Sequence, residues 1–300
     1  MDKYIYPSLY CIYQKDQAVT NNPLSEFYTQ TGMYVKLPSQ GRFYSERPRM
    51  SADDEIEVFP MNAIDELHFQ NPDGLLNNES LVKVLQRTVP GIKDANEIPK
   101  PDLDVLLLAL RVITYSKDLQ VEAKCKKCSN IENYGVDLTQ ILSTMKSIPE
   151  DNVVKVGELM VHIKPYSIKS QNRLNDYMLS IQRTARQLQS HVNSDQSELL
   201  ARLQDKMTND VKLSANELFS IARESIIKIL LPNQDEVSDQ TFIDEWLNKI
   251  KAPEYKLIRD KLATISAETI DRTFKFVCES CKTENTMEVN FDPANFFDLN

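Results

Sequence analysis

The chain has 300 residues, with 35 Lys and Arg against 44 Asp and Glu, a net charge of −9. That balance argues against wholesale binding of nucleic acid or of an anionic membrane surface. Hydrophobic residues make up 41%, enough for a sizeable core, and the length suits about two domains. Glycine is scarce, with 6 in the whole chain and no two closer than nine residues. Phosphate-cradling loops and nucleophile elbows need glycines a few residues apart, so neither can be written here.

Residues 1–32 read as an N-terminal arm, tyrosine-rich (Tyr4, Tyr6, Tyr10, Tyr13) and broken by Thr20-Asn21-Asn22-Pro23, with no signal-peptide pattern. From Met33 to Phe59 short strand-like runs alternate with turns. Helices are expected at roughly 61–70, 78–89 and 101–115. The last is the best marked: Pro101 suits a first turn, Asp102 and Asp104 favour its positive end, and Leu103 to Ile113 is densely apolar. Its most apolar run, Val105 to Leu110, falls far short of the ~20 residues a bilayer requires. An extended stretch, Leu119 to Leu138, follows, then a strand pair, Asn152–Val156 and Leu159–Lys164, turning at Gly157.

Residues 166–267 read as a long, all-helical insertion. Leu174, Met178, Ile181, Ala185, Leu188 and Val192 form a heptad-like seam. The seam suits an intramolecular bundle, with a coiled-coil contact to a partner as the alternative. Asp195 with Glu198 resembles a capping box after the break at Asn193-Ser194. Ser214 with Glu217 marks another helix start, running to Leu231, and further helices are expected at 238–250 and 254–266.

The cysteines carry the chemistry. Cys125-Lys126-Lys127-Cys128 and Cys278-Glu279-Ser280-Cys281 are two C-x-x-C pairs, each between strand-like segments. Leu119–Ala123 and Ile131–Tyr134 flank the first; Thr273–Val277 and Thr286–Val289 flank the second. Two hairpins with such tips are the two halves of a zinc ribbon, and four thiolates close a tetrahedral structural Zn2+ site with no open position for catalysis. The pairs are 153 residues apart, so no compact zinc signature applies. A dithiol redox pair is the competing reading, but it calls for an exposed low-pKa cysteine at a helix N-terminus. The fold expectation is therefore α+β: residues 33–165 with 268–300 form a core holding a split zinc ribbon on Cys125, Cys128, Cys278 and Cys281, and 166–267 are inserted between its halves.

Other candidates are weaker. His68, His162 and His191 are scattered, Asp53-Asp54-Glu55 reads as a solvated turn before a strand rather than a cation site, and Cys11 stands alone. Lys124, Lys126 and Lys127 make a small basic patch offset by Glu122 and Glu132. The apolar tail Phe291–Phe297 either folds back or inserts into a partner. The scarcity of cysteine argues against a secreted disulfide scaffold and for a soluble protein kept reduced inside the cell.

With these residues laid out, the chain resembles the baseplate hub and hub-assembly proteins of T4-like contractile-tailed bacteriophages. The likeness runs through Leu37-Pro38-Ser39-Gln40-Gly41, Phe43-Tyr44, Val58-Phe59-Pro60-Met61, Asp65-Glu66, Asn71-Pro72-Asp73 and Leu75-Leu76-Asn77. It continues in Asp102-Leu103-Asp104, Leu106–Arg111, Thr114-Tyr115, the first knuckle and Asp137-Leu138. It covers about residues 33–165 well and the second knuckle with its tail more loosely; the arm and the long helical segment depart from the pattern. The resemblance implies a non-enzymatic structural or assembly protein made in the host cytoplasm, with the tail baseplate as a destination. Its partners would be other hub proteins, with no small-molecule substrate, no nucleic acid and no membrane. A zinc-ribbon nucleic-acid-binding protein is the alternative, with a thiol oxidoreductase behind it.

Overall fold

The computed structural model describes residues 31–69, 79–150, 152–191, 197–267 and 269–289. The arm's tyrosines and Cys11, the motifs between 71 and 77, the break at 193–195 and the tail after 290 lie outside the described residues.

An antiparallel pair opens the fold: β1 (Met33–Lys36) on β2 (Glu55–Val58), with Val35 opposite Ile56. Helices α1 (Ala63–Phe69), α2 (Glu79–Thr88) and α3 (Lys100–Thr114) follow near the expected positions. All eleven residues from Pro101 to Arg111 are buried, so α3 is the axis of the first core. Around it pack Val35, Leu37, Ile56, Leu81, Leu85 and Ile98, with Ile270 and Val289 from the far end of the chain.

The two acids of α3 do more than face the positive end of their own helix. Asp102, fully buried, accepts hydrogen bonds from Ser39 N (2.8 Å), Ser39 Oγ (2.5 Å) and Tyr44 Oη (2.8 Å). It thereby fixes a loop in which Gln40, Gly41 and Phe43 all have positive φ. An aromatic residue in that region is a strained conformation that surrounding contacts must hold in place. Asp104 pairs with Lys100 (2.5 Å) and with Arg272 (2.9 Å), which joins α3 to the C-terminal segment. Burial pushes the Asp102 carboxyl up to about 6 against the opposing hydrogen bonds from Ser39 and Tyr44.

Next come the hairpin β3 (Asp118–Lys124) with β4 (Ile131–Asp137) and the short helix α4 (Leu138–Ser143), capped by the Asp137 side chain on Thr139 N. Strands β5 (Val153–Val156) and β6 (Leu159–Ile163) turn at Gly157, whose φ of 60° suits glycine. Two long helices, α5 (Ile168–His191) and α6 (Ser197–Ser225), pack on one another.

The chain then departs from the all-helical expectation for 166–267. Ile226–Leu230 is a strand, β7, which pairs antiparallel with β6 and with β8 (Glu236–Val237), giving the sheet order β5-β6-β7-β8. The β-branched run Ile226-Ile227-Lys228-Ile229 prefers extended backbone, and Ile226 and Ile229 bury against the second core. The helix expected from Ser214 to Leu231 is thus the end of α6, which runs through Ser214 without a break and stops at Ser225. Helices α7 (Gln240–Leu247) and α8 (Ala252–Ile265) complete this core with Ile243, Leu247, Ile258 and Leu262. The last hairpin is β9 (Thr273–Val277) with β10 (Glu284–Glu288).

On α5 the expected seam keeps Leu174, Ile181, Ala185 and Leu188 half-buried and departs from the apolar stripe at one position. Met178 is 46% exposed, whereas Thr184, beside Ala185, is fully buried.

Candidate metal centre

Each cysteine pair sits in the turn of a two-stranded hairpin, and the two turns are built alike. In the first, Cys125 N donates to Asn130 O (2.8 Å) and Ser129 N donates back to Cys125 O (2.9 Å). In the second, Cys278 N donates to Thr283 O (3.0 Å) and Lys282 N to Cys278 O (2.9 Å). The residue four positions after the first cysteine takes a left-handed conformation in both, Ser129 at φ 61° and Lys282 at φ 54°. In each turn the first cysteine is buried, at 1% exposure, and the second lies closer to solvent.

All four Sγ atoms lie within 4.8 Å of one another, the one such group of His, Cys, Asp and Glu ligand atoms among the described residues. Cys125 lies 3.6 Å from Cys281, and Cys128 lies 3.6 Å from Cys278, so the buried sulfur of each turn meets the outer sulfur of the other. These separations are far beyond a disulfide bond of about 2.05 Å. With metal–sulfur bonds of about 2.3 Å, the edges of a regular sulfur tetrahedron are about 3.8 Å. The four sulfurs therefore enclose a volume that suits one metal ion, and the donor set can hold one.

Around the sulfurs the hairpins are stitched by polar groups that the C-x-x-C spacing does not reveal. Asn285, buried, accepts from Lys126 N through Oδ1 (3.0 Å), while its Nδ2 reaches Thr283 O (2.9 Å) and Cys125 Sγ (3.5 Å). Lys127 N lies 3.4 Å from Cys125 Sγ, and Thr283 Oγ1 lies 3.3 Å from Cys281 Sγ. Asn130 Nδ2 donates to Ser280 Oγ (2.8 Å), and Glu279 N to Glu132 Oε2 (3.3 Å). Tyr134 packs on Phe276 at 4.5 Å between ring centroids. A polar Asn at the second strand's start is the sequence signal for this brace, but it is too common a residue to single out.

The thiols are unequal. Backbone N–H groups of Cys128 and Lys127 outweigh burial and draw Cys125 down to about 6. The side chain and backbone of Thr283 lower Cys281. At Cys128 the lowering bond from Asn130 is overcome by burial and the three neighbouring sulfurs, and the thiol is pushed up to about 12. Negative charge on one sulfur opposes ionisation of the next, and a central divalent cation reverses that logic.

His68 and His162 stay apart from this cluster. Asp54 pairs with Arg47 (3.1 Å) while Ser51 Oγ accepts from Asp53 N and Glu55 N, so the acidic run is a braced turn as expected. No helix among the described residues is long and apolar enough to cross a membrane.

Fold and site define an α+β protein in which a four-cysteine centre ties together hairpins from distant parts of the chain. The chain belongs to the T4 bacteriophage base plate protein family, whose profile matches residues 35–298. It is a phage baseplate structural protein, and its interactions are with other structural proteins of the phage. No curated protein and no solved structure gave a significant match.

Proposed function

We propose that the protein is a zinc-stabilised structural or assembly component of the baseplate hub, acting through protein–protein contacts and catalysing no reaction. What supports the metal reading is the four-sulfur cluster itself: two equivalent turns with sulfurs at tetrahedral-edge spacing and N–H donors aimed at Cys125. Cys125, Cys128, Cys278 and Cys281 would hold one Zn2+, whose chemistry there is structural cross-linking. A closed thiolate set leaves no position for substrate. In this reading the hairpins form a split zinc ribbon within a core of residues 33–165 and 268–300. Residues 166–267 are an insertion between its halves, and 1–32 an arm.

Assembly takes place in the host cytoplasm, where the thiols stay reduced and can accept the metal. The family match supports a place in the tail baseplate, and the hub is the part that the sequence motifs favour. The test is complementation of a phage lacking the protein. Wild type restores hub formation and binds hub subunits in co-purification, whereas Cys125→Ser and Cys278→Ser do neither. A metal-free double variant that still completes the hub overturns the zinc reading. A salt-sensitive complex with DNA, without hub binding, overturns the structural one.

A further inference from the structure

The α5–α6 hairpin differs from every other helical region of the fold. Among the described residues from 171 to 220 no hydrophobic side chain is buried; the buried ones are Thr184 and Asp210. No described residue between 175 and 218 joins either hydrophobic core. Polar ties run between the two helices beside their half-buried seam. Ser180 Oγ donates to Asp210 Oδ2 (2.6 Å), and Arg173 reaches Glu217 (2.6 Å) and Glu224 (2.7 Å). Isolated helices are marginal in water and need an apolar face covered.

The pattern along α6 shows what is missing. Leu200, Leu203, Met207, Asp210, Ser214, Glu217 and Ile221 are spaced 3, 4, 3, 4, 3, 4, and each is buried or half-buried. Beside this seam lie apolar residues that the hairpin leaves open: Val211 and Leu218, seven apart, at 48% and 47% exposure, and on the other flank Leu199 and Leu213, fourteen apart. Met178 repeats this on α5. A seam two residues wide suits a pair of helices, whereas apolar flanks beside it are the mark of a helix in a larger bundle.

We propose that this hairpin is half of a four-helix bundle, completed by the hairpin of a second copy of this chain. Charge favours a copy as the occupant. Residues 175–218 carry five basic and six acidic side chains, so eight of the nine net negative charges lie elsewhere. Two copies repel elsewhere, whereas this segment is nearly neutral and carries both signs, which a self-complementary two-fold contact can pair. At 1.5 Å per residue and about 10 Å per helix, the open face offers about 600 Å2 per copy. The total of about 1,200 Å2 is the lower end of what specific dimers bury. This inference does not rest on the metal centre.

The test uses the full-length, metal-loaded chain in sedimentation equilibrium from about 1 to 100 μM. The expected result is a reversible dimer of twice 34.5 kDa, reduced to monomer by Met178→Lys/Val211→Lys/Leu218→Glu. These positions are solvent-exposed within one chain, so far-UV circular dichroism and metal content stay unchanged in the variant. A wild-type chain that remains monomeric throughout overturns the proposal. So does a dimer that the triple variant leaves intact, or a hairpin that pairs with another baseplate protein's helices and not with itself.

Discussion

Two regions join the middle of the chain to its C-terminal end, and they are made of different material. Around α3 the joint is mostly apolar: Leu106, Leu108 and Leu110 are fully enclosed, Ile270 and Val289 complete the same core, and the Asp104–Arg272 pair lies beside them. In the cysteine hairpins the strands alternate exposed and half-covered residues, and few side chains besides Cys125, Cys278, Phe276 and Asn285 are buried near the tips. A two-stranded hairpin is marginal by itself. A buried helix can thus join distant segments mainly by apolar area, with one ion pair beside it, while short ribbons need a cross-link of high local strength.

The largest effect expected from breaking this comparison is metal removal. Apparent zinc-binding energies of about 10–16 kcal/mol in small sites set the scale. Chelation, or Cys278→Ser, should abolish amide-exchange protection in β3, β4, β9 and β10 while α3 keeps its own. Hairpins that stay protected without metal would erase the distinction between the two regions. Leu106→Ala or Leu108→Ala should act the other way, costing about 2–5 kcal/mol in urea unfolding with metal content unchanged.

Asp102 joins the core to the strained loop, and Asp102→Ala should cost about 1–3 kcal/mol by stranding the donors of Ser39 and Tyr44. Its pH signature has a definite sign. The folded-state value of about 6 lies above the ordinary carboxylate value of about 3.9, so the folded chain holds the proton more tightly. Stability from this group therefore grows as pH falls from about 6 to 4 and is lost as pH rises through 6. Comparing wild type with Asp102→Asn at pH 5 and 7 isolates it; a difference that does not change with pH contradicts the assignment. The most local effect is expected at Asn285, where Asn285→Ala should weaken metal binding about 10–100-fold in a chelator titration and leave the fold in place.

The residues explain which parts of this were legible in the sequence. The cysteine turns could be read because C-x-x-C with alternating flanks is a local pattern, and the same local rules mark α3 by Pro101 and its apolar run. Strand β7 could not. Ile221, Ala222, Ile226 and Ile229 fall on one face of a continued helix as well as they fit a helix-to-strand change, and only pairing with β6 decides between them. One position of α5 was hidden as well: the apolar stripe names Met178, which stays exposed, whereas the buried residue is Thr184, which no apolar pattern marks. Asn285 acts across a 160-residue separation from Cys125, which no spacing rule reaches.

The most direct measurement is elemental analysis of the purified native chain before and after chelation, read with its circular dichroism. One zinc per chain is expected, removed together with the order of the cysteine hairpins. A chain that holds no metal, carries four free titratable thiols and keeps the same fold would contradict it.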